Sequence, residues 1–407
     1  MSKTKDVCAF LRKNRACEHI LCALVLLFPV LHALWHPTWL LSAGVTVFLW
    51  VYGFTHGVSA FFPRRRTDLV AWILIGLFLW YGFWGYGRAV SGCITALMLS
   101  VCIPARALLA DRYTFRMLCF FASLGAAVAS AYGIGQYFWG ALEVKWVDLR
   151  LFADIGGRVT SFFDNPNVLA IYLLFCFPLA LVGTFDSEEP PTRRLICTTS
   201  TVLILFCTVL TWTRGAWLGM LLQGMLFLML HSRRTRKMLF VLPLFLPLAA
   251  LLLPPQVLRR FLSIGNPAES SNRYRLHTWH GVLRMIAAHP LGIGVGEQAF
   301  RCIYPTYALM GTETVMHAHS VFLQVTCETG LLGGVLFLFW CAFEVWRARK
   351  SEAVLPLTGM LVMGLFDHLW YAPSMALLFA CAMAIAAALP QNGKGRQENV
   401  CILHEKL

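Results

Sequence analysis

Apolar runs, each close to the length of a membrane-crossing helix, recur along the chain and are separated by short polar or basic breaks. A helix needs ~20 mainly apolar residues to cross ~30 Å of hydrocarbon. By that measure the pattern predicts twelve spans, at roughly residues 19–36, 38–55, 69–87, 90–109, 117–138, 166–184, 195–212, 216–231, 238–253, 319–343, 354–370 and 373–389. One polar connection, residues 254–318, is far longer than the others, and a connection of that length is expected to carry function. Inside it, Ser270-Ser271-Asn272 offer helix-capping side chains. Leu276, Trp279, Leu283 and Ile286 then recur at helical spacing up to His289-Pro290, which predicts an amphipathic helix lying over the bundle on those four residues. The glycines of Gly292-Ile293-Gly294-Val295-Gly296 permit a tight turn, but no strand pattern precedes them to make a nucleotide-binding loop. The expected architecture is one all-α polytopic membrane domain over 1–407, with about twelve transmembrane helices and a large extracytoplasmic loop.

Composition narrows the class further. At 58% hydrophobic and 13% charged, the chain is far from a soluble globular protein, in which about a quarter of residues are charged. The +14 formal charge sits in short clusters between apolar runs, such as Arg64-Arg65-Arg66 and Arg233-Arg234, so it reads as topology signal and excludes a nucleic-acid partner. Lys and Arg divide about two to one in favour of the side holding the N-terminus, which places both termini in the cytoplasm and residues 254–318 outside. The basic N-terminus before Ile20 to Leu34 reads as a retained first helix, since no convincing cleavage site follows it. The 14 cysteines form neither a Cys-x-x-Cys pair nor a Cys/His cluster, so neither a metal nor a disulfide framework is expected.

Several polar residues at the expected outer membrane edge are candidates for chemistry. His319 lies at the seam between a polar loop and an apolar helix, and an imidazole, with an ordinary pKa of about 6.5, suits a general base at neutral pH. The alternative is that His317 and His319 simply end a helix at the interface. Arg214, between two spans, and Arg275, at the start of the loop helix, are guanidiniums that could grip phosphate oxygens in pairs, with Arg273 as a competitor for the second role. Snorkelling or plain solvation is the structural alternative for each. In the segment Arg158 to Asn167, Arg158 or Asp164 could bind sugar hydroxyls or pyrophosphate. Equally, Asp164-Asn165-Pro166-Asn167 could only start the next helix. Asp367, beside His368 near an outer helix end, could orient His319. Glu328, nine residues after His319, points about half a turn away and is expected to pair elsewhere in the bundle.

Taken in order, these residues resemble the O-antigen ligase and O-antigen polymerase superfamily of bacterial membrane glycosyltransferases. Arg214 with Leu218 is similar to its Arg-x-x-x-Leu element. Arg275, four residues before Trp279, is similar to its loop-arginine element. His319-Ser320, nine residues and then Gly330-Leu331-Leu332-Gly333 are similar to its histidine element. The resemblance covers roughly residues 150–345. It implies a metal-independent, cofactor-free, inverting glycosyltransferase with a C-type membrane fold. Such an enzyme takes a glycan from an undecaprenyl-pyrophosphate carrier and passes it to a lipid, glycan or protein hydroxyl outside the inner membrane. His319 would be the base, and Arg214 and Arg275 would hold the pyrophosphate. The histidine spacing leans toward a ligase over a polymerase of the same superfamily. A small-anion (bicarbonate-type) transporter is the alternative from another class, and the chain shows no inverted repeat to support it.

Overall fold

The protein is described here from a computed structural model, which covers residues 66–109, 112–140, 157–239, 255–370 and 372–388, with a few isolated positions between 22 and 50. Those isolated positions apart, the expected spans at 19–36 and 38–55 lie outside the described residues, as do the polar tail from Gln391 and all but the first two residues of the expected span at 238–253. The described residues contain helices and no strand. They are α1 (Arg66–Gly82), α2 (Ala89–Ser100), α3 (Cys102–Leu108), α4 (Arg112–Trp139), α5 (Pro166–Phe185), α6 (Pro191–Leu210), α7 (Arg214–His231), α8 (Arg233–Met238), α9 (Pro255–Leu262), α10 (Ser270–Ala288), α11 (Glu297–Ile303), α12 (Val321–Ala348), α13 (Leu355–Phe366) and α14 (Pro373–Ala388).

Among them, five stretches are long and apolar enough to cross a membrane: Ala89–Arg106, Arg112–Trp139, Pro166–Phe185, Pro191–Leu210 and Val321–Ala348. Asp68–Gly82, Glu352–Phe366 and Ser374–Ala388 are apolar but shorter. The expected count of twelve is therefore not reached among the described residues. The helices pack as a bundle in which α4, α5 and α6 contact one another, α7 lies along α13, and α12 runs beside α1 and α14.

Two breaks in helical hydrogen bonding show how apolar sequences acquire polar anchors. Pro178 in α5 has no N–H to offer the carbonyl of Leu174, four residues before it. Gln223 of α7 supplies the missing donor: its Nε2 donates to Leu174 O and to Leu355 O, both at 2.8 Å. A side-chain amide thereby joins α5, α7 and the start of α13 in the buried interior. The close α7–α13 crossing depends on Gly219, whose position leaves only 3.0 Å between an added Cβ and Gly359 O.

The second break divides α12. The expected single span over 319–343 is two helical pieces meeting at Gly330, whose φ of 75° and ψ of 177° are non-helical. The glycine run Gly292–Gly296 of the long loop enters this break. Ile293 N donates to Cys327 O, Gly294 N to Glu328 O, and Leu331 N to Pro290 O. The same run meets the α1–α2 turn, with Val295 N donating to Tyr81 O and Tyr86 N to Ile293 O. A Cβ at Gly292 would lie 2.6 Å from Gly330 N, and one at Gly330 would lie 2.7 Å from Leu291 C. These two glycines allow loop and helix to share hydrogen bonds at membrane depth, as non-helical backbone there requires.

The amphipathic loop helix is present as α10 and ends before His289-Pro290, but only part of the expected face is buried: Ile286 is buried and Trp279 partly buried. Its buried residues are Thr278, Gly281, Val282, Met285 and Ile286, whereas Leu276 and Leu283 are 45% and 55% exposed. Gly281 sets the rotation, because an added Cβ there would lie 3.0 Å from Tyr307 O and 3.1 Å from the Tyr304 ring. The helix cap also differs. Glu269, not a residue of the Ser270-Ser271-Asn272 run, accepts from Asn272 N.

Candidate active site

At one end of the bundle the loop before α5, the start of α7, the N-terminal end of α10, the turn before α12 and the C-terminal end of α13 converge. They bring together Arg158, Arg214, Arg275, His317, His319 and Asp367. Asp164 is not part of this group. It is exposed, and the helix start expected of its segment is made by Asn165, which caps α5 by accepting from Asn167 N.

His319 is the non-glycine residue of its loop in the left-handed region, at φ 47°. Such a conformation costs of order 1 kcal/mol and persists only where its surroundings fix it. Three contacts do so: His319 N donates to His317 Nδ1 (3.3 Å), Trp279 Nε1 donates to His319 O (3.2 Å), and Ala318 N donates to Gln324 Oε1 (2.8 Å). The two other positive-φ non-glycines among the described residues, Ser161 and Trp212, flank the same site. Ser161 lies three residues after Arg158, and Trp212 lies between two threonines that hold the Arg158 guanidinium.

The imidazole of His319 is oriented through its Nδ1, which lies 3.3 Å from Asp367 Oδ1. An ionised carboxylate only accepts, so Nδ1 carries the proton and Nε2 keeps its lone pair. Asp367 is 5% exposed and is held in turn: its Oδ2 accepts from Asn167 Nδ2 at 2.6 Å, and its Oδ1 from His368 N at 2.9 Å. Asn167 Oδ1 accepts from Arg158 Nη2 at 2.7 Å, and Arg158 also donates to Thr211 O and Thr213 Oγ1. One hydrogen-bonded chain thus runs from a buried arginine to the candidate base. Burial pushes the Asp367 carboxyl up, but the hydrogen bond from His319, with the Arg275 guanidinium nearby, outweighs it and holds the group below the usual carboxylate range. Burial also pushes His317 well down from the ordinary imidazole value and His368 down to about 3, so both rings are neutral at neutral pH.

The arginines form the second half of the site. Arg214 Nη2 donates to Glu269 Oε2 (2.9 Å) and Nη1 to Ser263 Oγ (2.9 Å), while Arg260 Nη1 donates to the other carboxylate oxygen of Glu269 (2.6 Å). Arg275 Nη1 donates to Ser271 Oγ (3.1 Å), but its Nε, like that of Arg260, is buried with no partner. Arg273 is exposed, which leaves Arg275 as the loop arginine of the cluster. Burial pulls Arg158, Arg260 and Arg275 below the ordinary guanidinium value, and each is lowered further by the charge of other arginines in the cluster. Four guanidiniums against the two carboxylates Glu269 and Asp367 leave a surplus of positive charge with undirected N–H donors, a setting suited to an anion with several oxygens.

Sequence reasoning missed Asn167, Arg260, Glu269 and Gln324. Asn167 was visible only as a helix-start residue, and Arg260 as one basic residue among several. Glu269 directly precedes the Ser-Ser-Asn run, where serine and asparagine are the stronger caps by type. Glu328 pairs away from His319 as expected: its Oε1 accepts from Gln324 Nε2 (2.9 Å) and Gly296 N (3.2 Å). His317, His319 and Asp367 each offer a ligand atom within 4.8 Å of the others, a spacing that a metal ion could also use.

No curated protein matches the chain closely enough to count as a relative. The O-antigen ligase family model matches residues 199–338, which include Arg214, Arg260, Arg275 and His319. Arg158, Asn167 and Asp367 lie outside that segment, although the fold joins them to it. Residues 199–338 are similar to the O-antigen ligase family, and the described residues around them are helical, five stretches being long and apolar enough to cross a membrane.

Proposed function

We propose that the protein is a ligase-type membrane glycosyltransferase that moves a glycan from an undecaprenyl-pyrophosphate carrier to a hydroxyl acceptor at the outer face of the cytoplasmic membrane. The observation that carries this reading is the placement of a carboxylate-oriented imidazole, His319 with Asp367, beside a buried arginine cluster with unmatched N–H donors. Arg275, Arg214 and Arg260 hold the pyrophosphate and stabilise the negative charge that grows on it as it leaves. Arg158 acts as a positioning residue through Asn167 and Asp367. His319 Nε2 takes the proton from the acceptor hydroxyl, and that oxygen bonds to the anomeric carbon from the face opposite the carrier. The bond from that carbon to the phosphate oxygen breaks, its electron pair stays on undecaprenyl pyrophosphate, and the configuration inverts. A polymerase would use the same chemistry with a growing glycan as acceptor. Simple passage of a small anion would use the positive charge but give an oriented base no task.

Transfer in a reconstituted bilayer with carrier-linked glycan, followed by NMR of the new glycosidic bond, tests the mechanism. Inverted anomeric configuration and full turnover in excess chelator are expected; retained configuration, or activity abolished by chelation and restored by a divalent ion, overturns it. Sidedness is tested in a cysteine-free variant with single cysteines at the exposed positions Glu313 and Arg236. An impermeant thiol reagent is expected to label intact cells at Glu313→Cys and not at Arg236→Cys, and the reverse pattern places the site on the cytoplasmic face.

A further inference from the structure

Beside His317, a cavity of about 180 Å³ is lined by Ser91, Thr95, His317, Glu328, His368 and Trp370, among others. That is roughly an order of magnitude more room than one water needs. Its lining contains no arginine or lysine. Two of the lining groups have polar atoms without protein partners. His368 is only 9% exposed, and both of its ring nitrogens are buried with no hydrogen bond. Glu328 directs both of its hydrogen bonds through Oε1, which leaves Oε2 to the cavity. Buried polar atoms left unmatched are rare in folded proteins and mark places where a ligand can satisfy them. A neutral imidazole offers one donor and one acceptor, the combination a sugar hydroxyl matches.

We infer that this cavity is a sugar subsite on the acceptor side of the base, seating the ring whose hydroxyl meets His319. The assignment rests on the glycosyltransferase reading. Three features select a sugar over a lipid chain or a peptide. The hydroxyls of Ser91 and Thr95 from α2 and the carboxylate of Glu328 from α12 line the cavity, and an acyl chain would strand them all without partners. Trp370 supplies an aromatic wall for the apolar face of a ring. The lack of cationic lining separates this cavity from the pyrophosphate side and argues against an anionic occupant. Gln324 joins the subsite to the base: its Nε2 holds Glu328, while its Oε1 holds the backbone of Ala318, next to His319.

The test measures binding of a panel of methyl glycosides (hexoses, N-acetylhexosamines and 6-deoxyhexoses) to the full-length protein in nanodiscs by saturation-transfer NMR, with inorganic pyrophosphate binding as a separate arm. At least one glycoside is expected to bind the wild type. His368→Phe, which keeps the ring shape and removes both unmatched nitrogens, is expected to weaken that binding at least tenfold without lowering thermal stability. Thr95→Trp, which fills the cavity from the opposite wall, is expected to do the same, and neither changes pyrophosphate affinity. Arg275→Ala is expected to show the converse. No glycoside binding to the wild type, or binding untouched by both cavity variants, overturns the subsite. Glycoside binding that follows the cavity variants in a protein that does not bind pyrophosphate supports the subsite and strikes the donor reading alone.

Discussion

The two sides of His319 solve opposite problems with buried polar groups. On the arginine side, charge is in excess: Arg214 and Arg260 share one carboxylate, Arg158 is spent on hydrogen bonds to Thr211, Thr213 and Asn167, and Arg275 retains an unmatched Nε. On the cavity side, burial keeps the His317 and His368 rings neutral, and His368 lines the space with both of its ring nitrogens buried and unmatched. A cationic surface with spare donors fits an anionic leaving group, and a surface of hydroxyl and carboxylate groups with no arginine or lysine fits hydroxyls. Asp367 sits at the boundary, bonded to the base on one oxygen and tied through Asn167 to the arginine side on the other.

The contrast is most severely tested at the base. His319→Ala is expected to lower turnover by 10²–10⁴-fold, the usual contribution of a general base, with pyrophosphate binding intact because the arginines are untouched. His317→Ala is expected to be milder, since its ring is held neutral and its Nδ1 only accepts from the His319 backbone. Asp367→Asn is expected to cost about ten- to a hundredfold. An Asp367→Asn protein with the wild-type rate would remove its orienting role.

Smaller effects belong to each side separately. Arg275→Lys is expected to weaken pyrophosphate binding about tenfold or more, since an ammonium keeps the charge but not the planar pair of donors. Arg214→Lys is expected to lose affinity as well and also to lower thermal stability, because its pairing with Glu269 helps cap α10. Equal affinity in both lysine variants would make the cluster a generic positive surface. On the cavity side the expected signature is in stability against pH. His368 titrates at about 3 when folded and near 6.5 when unfolded. The stability it contributes is therefore present above pH 6.5 and is lost as pH falls from there toward 3, at up to about 1.4 kcal/mol per pH unit. Thermal unfolding of His368→Phe is expected to lack that share of the slope, and an unchanged slope would assign it to other groups.

How much of this was legible in the sequence depended on how local each signal was. Most described spans, the loop helix and its end at His289-Pro290 follow from runs and periodicity carried by the residues themselves. The break at Gly330 does not, because the apolar pattern runs straight through it and its cause is a glycine run almost forty residues earlier in the chain. The rotation of α10 was misread for a related reason. Leu276 and Leu283 define an apolar stripe, but Gly281 against Tyr304 and Tyr307 decides which face is buried. At the site, Arg214, Arg275 and His319 could be singled out by residue type and spacing. Their supports could not: Glu269 reaches Arg214 across 55 residues, and Asn167 reaches Asp367 across 200, and no local pattern marks either pair.

The most direct test of the central claim is release of undecaprenyl pyrophosphate from purified carrier-linked glycan by the reconstituted protein, with glycan appearance on the acceptor followed in the same sample. The account predicts one carrier pyrophosphate released per glycan transferred in the presence of chelator, and both signals reduced together by 10²–10⁴-fold in a well-folded His319→Ala protein. Full transfer by that variant, or wild-type protein that binds the carrier-linked glycan and neither releases the carrier nor extends an acceptor, would contradict it.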